Sequence, residues 1–295
     1  MVEALCIGHA CYDLSFFLDG FLAENSKSET SLMLEAGGGP AANAAYLLSV
    51  WGCRCAFAGL VGDDEYGKRV RAELQAAGTD TSLLELRPGH CTPVSTILVN
   101  RLNGSRTIVN RKATTTPLNL SPEALRPFSP GVLVLDGHEL SASLAALEAF
   151  PRAISILDAG SWREGTAALA GRVTYLAASE RFARQACATE PGAADALPET
   201  WLGLLRGRYG NAVVITLGER GLVADDGSGP QVVRAQHVRA VDTTGAGDIF
   251  HGAFAYGILR GRTFAQALDL ATATATLSVQ RPGGRQSVPS IRELE

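Results

Sequence analysis

The segment VDTTGAGDIFHG, which begins at Val241, has the residues best suited to chemistry. The small residues Gly245, Ala246 and Gly247 let the backbone approach a ligand closely, and a helical pattern begins at Ala246. Amides at a helix N-terminus favour an anion, so these three predict an anion hole. A carboxylate, Asp248, is unfavourable beside an anion unless it removes a proton there. The segment therefore predicts phosphoryl transfer to a hydroxyl with Asp248 as catalytic base, the alternative being a glycine-rich turn whose acid only caps a helix.

The second half of the chain predicts the elements that position this segment. From Gly131 onward the apolar strands VLVLD, ISILD, VTYLAAS and AVVITLG alternate with helical patterns. This alternation predicts βαβ units and a parallel sheet with helices on both faces. Ligands bind at the carboxyl ends of such strands, which places Asp136, Asp158, Ser179 and Gly218 at the expected site.

The first half predicts both core elements and a second, smaller sheet. The expected core elements are a strand at 4–8, a helix at 41–50, a strand at 53–60 and a helix at 65–77. Two polar stretches with strand character, about 13–35 and 91–112, do not fit the βαβ alternation. In the second, strands at 93–100 and 105–110 flank Asn103-Gly104, a strong hairpin signal. We expect these stretches to form a lid on a single domain of residues 1–295.

Composition excludes several classes of function. The 295 residues are 46% hydrophobic and 19% charged, with a formal net charge of −4, so the sequence predicts neither nucleic acid nor a membrane as a partner. No apolar run reaches transmembrane length, and the acidic start at Glu3 differs from a signal peptide. The six cysteines form no CxxC pair, which favours reduced, buried thiols in a cytoplasmic protein.

Several motifs occur in one order along nearly the whole chain. They are GGGPAANAA (37–45), LVGDD (60–64) with Gly67, TLG (216–218) with Gly221, DTTGAGDIFHGA (242–253) and RPGG (281–284). In these motifs the sequence resembles the ribokinase-like, or PfkB, family of carbohydrate kinases. The resemblance implies an α/β, three-layer Rossmann-like ribokinase fold with a small β-sheet lid. It also implies ATP with Mg²⁺ and transfer to a sugar hydroxyl. The chain has no GxxxxGK[ST] loop, so the anion hole must hold the phosphate.

The resemblance also assigns candidate ligands. The sugar hydroxyls would be held by Asp13, Gly38, Gly39 and Asn43, and the nucleotide by Thr216, Gly218 and Gly221. A monovalent cation such as K⁺ would be held by Asp242, Thr244, Arg281, Gly284 and Ser287. The alternatives are a plain turn before a helix for the first glycines, a helix-surface amide for Asn43 and a tight hairpin for the nucleotide motif.

The sequence departs from the family pattern at one place. Many members have Asn-x-x-Glu after the third core strand, where it orders Mg²⁺, but this chain has Ser179-Glu180-Arg181-Phe182. Glu180 is a substitute ligand for Mg²⁺ or simply an acidic residue at a helix start.

The substrate is the least constrained inference. Lys27, Asn110, Arg111 and Lys112 lie in the predicted lid, where cations bind an anionic group of a substrate or protect an edge strand. The chain resembles the 6-deoxy-6-sulfofructose kinase branch most closely. There Lys27 and Asn110 match sulfonate ligands, but His138 replaces an arginine, and it is either a substrate ligand or a surface histidine.

Four functions therefore stay open. They are a kinase for a ketose or related furanose with an anionic 6-substituent such as sulfofructose or fructose 6-phosphate, a kinase for a neutral sugar, a nucleoside kinase, and a non-catalytic sensor. Few aromatic residues in the lid argue against a nucleoside. A homodimer that pairs through the lid strands is also expected.

Overall fold

The computed structural model describes residues 2–112, 116–193 and 196–294. In chain order the strands are β1 (Ala4–Ile7), β2 (Cys11–Leu18), β3 (Met33–Gly38), β4 (Cys55–Gly62), β5 (Asp80–Arg87), β6 (Val94–Asn100), β7 (Arg106–Arg111), β8 (Val132–Leu135), β9 (Ile154–Ala159), β10 (Tyr175–Ser179), β11 (Ala212–Thr216), β12 (Leu222–Asp225) and β13 (Gln231–Val233). The helices are α1 (Pro40–Val50), α2 (Glu65–Ala76), α3 (Pro122–Leu125), α4 (Leu140–Ala149), α5 (Glu164–Leu169), α6 (Glu180–Ala186), α7 (Pro198–Tyr209), α8 (Ala246–Leu259) and α9 (Phe264–Ser278). In the described ranges, no helix is both long and apolar enough to span a bilayer.

The larger sheet has nine strands in the order β13-β12-β11-β10-β9-β8-β1-β4-β5. Successive side chains along its strands point alternately into two hydrophobic cores, one on each face of the sheet. In β1, Ala4 and Cys6 face one core, with helices α1, α2, α8 and α9, while Leu5 and Ile7 face the other, with α4 to α7. Helices on both faces of a mostly parallel sheet confirm the predicted α/β, three-layer fold.

Two edge strands differ from the sequence prediction in direction, and a third strand is absent from it. Strands β12 and β13 are antiparallel to their neighbours and form one edge of the sheet, whereas the βαβ alternation predicts parallel strands. The reversal between β11 and β12 agrees with the tight hairpin that the sequence offers as the alternative for the nucleotide motif. Strand β5 pairs in parallel with β4 and forms the other edge, and it is not among the elements that the sequence predicts.

The second sheet has four strands in the order β3-β2-β6-β7, and we call it the small sheet. The predicted hairpin joins β6 to β7, and Gly104 at its tip adopts φ +71°. The carbonyl of Gly104 accepts hydrogen bonds from the amide and Oγ1 of Thr243, at 3.1 and 2.9 Å. The hairpin is therefore fixed to the loop that precedes α8. Residues 19–32, within the first predicted lid stretch, contain no strand.

Candidate active site

The predicted catalytic base lies in the first turn of α8. Gly245, the N-cap residue, adopts φ +71°, a left-handed conformation that favours glycine. Oδ2 of Asp248 accepts a hydrogen bond of 2.7 Å from Nδ2 of Asn43 in α1. Burial raises the pKa of Asp248 to about 7, and the charge of Asp158 adds to the rise, while the hydrogen bond from Asn43 opposes it. A carboxylate with a pKa near 7 suits a general base at neutral pH.

The predicted anion hole has open space beside it. A helix leaves its first amides without acceptors inside the helix, and an atom added at the Cβ position of Gly247 would have no neighbour within 4 Å. The amide of Ala246 already donates to the carbonyl of Thr243, at 3.3 Å. Arg106 of β7 donates from Nη1 to Oγ1 of Thr243, at 2.8 Å, which brings a cation to this loop. The sequence around Arg106 gives no sign of this role, because only the contact of the hairpin with Thr243 places the side chain here.

A buried histidine–aspartate contact lies next to the base. Nδ1 of His251, one turn further along α8, is 2.8 Å from Oδ2 of Asp158 at the end of β9. Burial alone would lower the pKa of His251, but the charge of Asp158 and the contact between the two side chains raise it. The sequence placed Asp158 at the expected edge of the sheet, but nothing in its spacing predicted this pairing with His251.

The predicted sugar ligands meet where β2 begins and β3 ends, near α1. Burial raises the pKa of Asp13, whose Oδ1 accepts a hydrogen bond from Sγ of Cys11 at 3.2 Å. A Cβ on Gly38 would lie 2.1 Å from Oδ2 of Asp13, and one on Gly39, at φ +101°, would lie 2.3 Å from the carbonyl oxygen of His9. Gly38 is therefore required by the close packing against this carboxylate, and Gly39 by the close packing against the backbone at His9.

His138 belongs to a cluster at the ends of β1 and β8. Its ring stacks on His9 with 4.6 Å between the ring centroids, and the carboxylate of Asp136 accepts both backbone amides. Burial lowers the pKa of His9 to about 4 and also lowers that of His138, with further lowering by the positive charges of Arg163 and Lys112. Both imidazoles are therefore neutral at pH 7. His9 and Arg163 are not among the site residues that the sequence predicts.

Three other predicted lid ligands are exposed. Lys27 lies in the loop between β2 and β3, and Asn110 and Arg111 lie in β7. Arg111 donates from Nη2 to the carbonyl oxygen of Thr92, at 2.8 Å. The small sheet brings Asn110 and Arg111 together, but no described contact joins Lys27 to them.

Comparison with known proteins establishes the family. Residues 1–291 match the model of the pfkB family carbohydrate kinases. The chain belongs to this family. As a pfkB family member it is an ATP-dependent carbohydrate kinase.

Similar proteins cover different shares of the chain. A 5-dehydro-2-deoxygluconokinase of Shouchella clausii is 28% identical over 315 residues, which cover 99% of this chain and 94% of that protein. The ribokinase of Lactococcus lactis is 36% identical over only 88 residues, which cover 30% of this chain and 29% of that protein. A solved structure of a ribokinase candidate from Agrobacterium tumefaciens is 28% identical, covers 99% of this chain and 96% of its own, and has a TM-score of 0.90.

The predicted nucleotide residues of this pfkB kinase form the turn between β11 and β12. Thr216 ends β11, and the amide of Leu217 donates to the carbonyl of Gly221 at 2.8 Å. Gly218 and Gly221 adopt φ +62° and +91°, and a Cβ on Gly221 would lie 2.0 Å from the carbonyl oxygen of Val233. The tight hairpin that the sequence offered as an alternative is therefore present, and nucleotide contact at this turn stays a prediction.

The contacts of Glu180 do not favour its predicted role as a Mg²⁺ ligand. Oε2 lies 2.6 Å from Nη2 of Arg220, and Oε1 lies 3.5 Å from Nη2 of Arg184. Two guanidinium groups therefore already compensate this carboxylate. The part of the chain that the structure describes contains no group of three or more His, Cys, Asp or Glu side chains able to hold a metal.

Most of the predicted K⁺ ligands do lie together. The carboxylate of Asp242 accepts the amides of Thr244 and Gly283, each at 2.8 Å, and Ser287 donates from Oγ to the carbonyl of Gly284 at 2.7 Å. Oγ1 of Thr244 is buried without a partner among the described residues, which fits a cation ligand. The side chain of Arg281 differs, since it pairs with Glu293 at the C-terminal end.

Proposed function

We propose that this kinase phosphorylates a hydroxyl of a ketose or related furanose, with Asp248 as the base that accepts the hydroxyl proton. The single observation that carries this proposal is the geometry at the start of α8. A carboxylate with a pKa raised to about 7 lies in the first turn of a helix, next to Gly247, whose Cβ position borders open space. A base and a site for negative charge are the two groups that transfer of a phosphoryl group to a hydroxyl requires.

The sequence of events follows from these residues. Asp13 and the backbone at Gly38 and Gly39 hold the sugar. Asn43, which the sequence predicts as a further sugar ligand, donates instead to the carboxylate of Asp248. The small sheet closes over the sugar as a lid and excludes water that would otherwise accept the phosphoryl group. Asp248 then takes the hydroxyl proton, while the amides at the start of α8 stabilise the charge of the transferring group.

Metal ions enter this proposal only to a limited extent. Mg²⁺ would accompany the ATP phosphates, and because Glu180 is already paired with two arginines we assign no step to a metal held by the chain. K⁺ would be held by Asp242, Thr244, Gly284 and Ser287, where it would add positive charge to the loop before Asp248. Arg281 is left out of this set.

We further propose that the sugar has an anionic substituent far from the reacting hydroxyl. Support comes from Lys112 and Arg163, whose positive charges act on the stacked rings of His9 and His138 at the edge of the sheet. An anion beside these rings would be stabilised by the two cations and would favour protonation of the imidazoles. A neutral sugar would leave the cations without a partner from the substrate.

A coupled assay of ADP release tests both levels of this proposal. The panel contains fructose, ribose, tagatose, fructose 6-phosphate, sulfofructose and several nucleosides. We expect turnover of an anionic ketose, with a KM that rises in Lys112→Ala and not in Lys68→Ala, a matched exposed lysine in α2. Turnover of neutral sugars alone would refute the anionic substituent, and turnover of nucleosides alone would refute the ketose.

We also propose that two copies pair through the small sheet. Apolar side chains are exposed on this sheet and its loops, namely Phe21, Leu22, Leu32, Met33, Leu102, Ile108 and Val109. Such a surface on a sheet with open edges favours association with a second copy. Light scattering should give the mass of a dimer, and Val109→Asp should give that of a monomer. A monomeric wild-type chain at micromolar concentration would contradict this.

A further inference from the structure

The orientation of the Asn43 amide is set by a buried arginine from the C-terminal end of the chain. Nε of Arg285 donates to Oδ1 of Asn43 at 3.0 Å, and Nδ2 of Asn43 donates to Oδ2 of Asp248 at 2.7 Å. A guanidinium group has only donors, so it requires the amide oxygen on its own side. The amide nitrogen must then face the carboxylate of Asp248. Without the arginine, the amide could rotate and present its oxygen to the carboxylate.

Arg285 is itself fixed by its surroundings. The residue is 4% exposed and lies in a short 3-10 turn at 285–287. Nη1 donates to Oε2 of Glu73 in α2 at 2.9 Å, and the same oxygen accepts the amide of Gly37 at 2.7 Å. The guanidinium also lies 5.4 Å from the ring centroid of Tyr46. A buried guanidinium is favourable only with such partners, so the arrangement holds the side chain in one position.

The side chain of Arg285 packs so closely against residue 37 that only glycine fits at that position. A Cβ on Gly37 would lie 2.1 Å from Nη1 of Arg285. The first glycine of the GGGP segment is therefore required by the arginine, whereas the next two are required by Asp13 and by the backbone at His9. The segment thus joins the candidate sugar ligands to the residues that support the base.

We propose that Arg285 is a positioning residue for phosphoryl transfer, which holds the Asn43 amide so that its nitrogen binds the carboxylate of Asp248. This inference rests on the proposed role of Asp248 as the base. Arg285 acts through Asn43, and Glu73 acts through Arg285. The chain Glu73–Arg285–Asn43–Asp248 joins α2, the C-terminal turn, α1 and α8, so the base is aligned only when these four elements are packed together.

The first test measures the titration of Asp248 without any sugar, by NMR of protein labelled at the aspartate carboxyl carbons. The Asp248 signal is identified by its loss in Asp248→Asn. Loss of one hydrogen bond to the charged form should raise the pKa of Asp248 by about one pH unit in Arg285→Ala and in Asn43→Ala. The double variant should show no further rise. Asp158, His251 and Arg106 also act on this carboxylate and remain in place.

The second test measures turnover of whichever sugar the wild-type chain phosphorylates. We expect kcat to fall about tenfold or more in Arg285→Ala with the KM for ATP unchanged. The acid side of the pH profile of kcat should also move to higher pH. A cleft of about 280 Å³ borders Arg285, Glu73 and Tyr46, so added guanidinium should restore part of kcat in Arg285→Ala but not in Asn43→Ala. Gln286→Ala, a change at the exposed neighbour in the same turn, should leave both measurements unchanged.

These outcomes separate the inference from the proposed function. An unchanged Asp248 titration in a folded Arg285→Ala variant would overturn the positioning role, whether or not a sugar is turned over. If Arg285→Ala does not fold, Arg285→Lys replaces the forked guanidinium by a single ammonium group and should give an intermediate rise in the pKa of Asp248. No rise in that variant would also overturn the role. If the pKa of Asp248 rises as expected in Arg285→Ala but the wild-type chain phosphorylates no sugar, the proposed function would be contradicted instead.

Discussion

Replacement of the catalytic base by its amide should make the protein more stable while it removes activity. The pKa of Asp248 is raised from 3.8 to about 7 by burial and by the charge of Asp158. The folded state therefore binds the proton more tightly than the unfolded state does. Above pH 7 the folded carboxylate is ionised at a cost in free energy, and below pH 3.8 it is protonated in both states and the cost disappears.

The size of this effect follows from the change in pKa. Each pH unit between the folded and unfolded pKa corresponds to about 1.4 kcal/mol, so the full cost at pH 8 is about 4 kcal/mol at most. Asp248→Asn has the same shape, cannot ionise, and can present its amide oxygen to Nδ2 of Asn43. We expect its free energy of unfolding to exceed that of the wild type by about 2–4 kcal/mol at pH 8.

Urea denaturation at pH 8 and at pH 5.5 measures the difference. Because the wild-type carboxylate is largely protonated at pH 5.5, the advantage of Asp248→Asn should fall to about half its value at pH 8. Asp269→Asn, a change at an exposed acid in α9, is the control and should show little change at either pH. A variant that is less stable than the wild type at pH 8, or an advantage that does not depend on pH, would refute the reasoning.

Two further changes test other parts of the site. First, kcat/KM should fall as the pH drops below about 7, because the base must be ionised. Asp158→Asn removes a neighbouring negative charge and should move this acid-side fall to lower pH. A pH profile of kcat/KM in which the fall stays in place or moves to higher pH would contradict this. Second, Gly38→Ala should raise the KM for the sugar about tenfold or more, since its Cβ would lie 2.1 Å from Oδ2 of Asp13. The control Gly203→Ala, in a part of α7 with free space, should leave this KM unchanged and slightly stabilise the helix; equal KM values in both variants would remove Asp13 from the sugar site.

The sequence predicted those features that local residue patterns determine. The start of α8 at Ala246 follows from the helical pattern after Gly245, and the hairpin follows from Asn103-Gly104. The position of Asp248 at a helix start needed no information beyond its own segment. The alternation of apolar strands and helices was likewise enough to predict the layers of the fold.

Contacts between distant segments could not be predicted in this way. Arg285 and Asn43 are separated by 242 positions, and no periodicity relates them. Glu180 has the expected place at the start of α6, and Arg184 is its neighbour four residues along the same helix, but Arg220 comes beside it only when β11 and β12 pair. Strand direction at the β12–β13 edge also depends on pairing, since an apolar run has the same pattern in either direction.

The central claim is that Asp248 accepts the hydroxyl proton during phosphoryl transfer from ATP. The most direct measurement compares kcat for ADP formation by the wild type and by Asp248→Asn at saturating sugar and ATP, with ATP affinity measured on both by calorimetry. We expect kcat to fall by at least about 10²-fold to 10⁴-fold while the Kd for ATP stays within about twofold. Near-normal turnover by Asp248→Asn would contradict the claim.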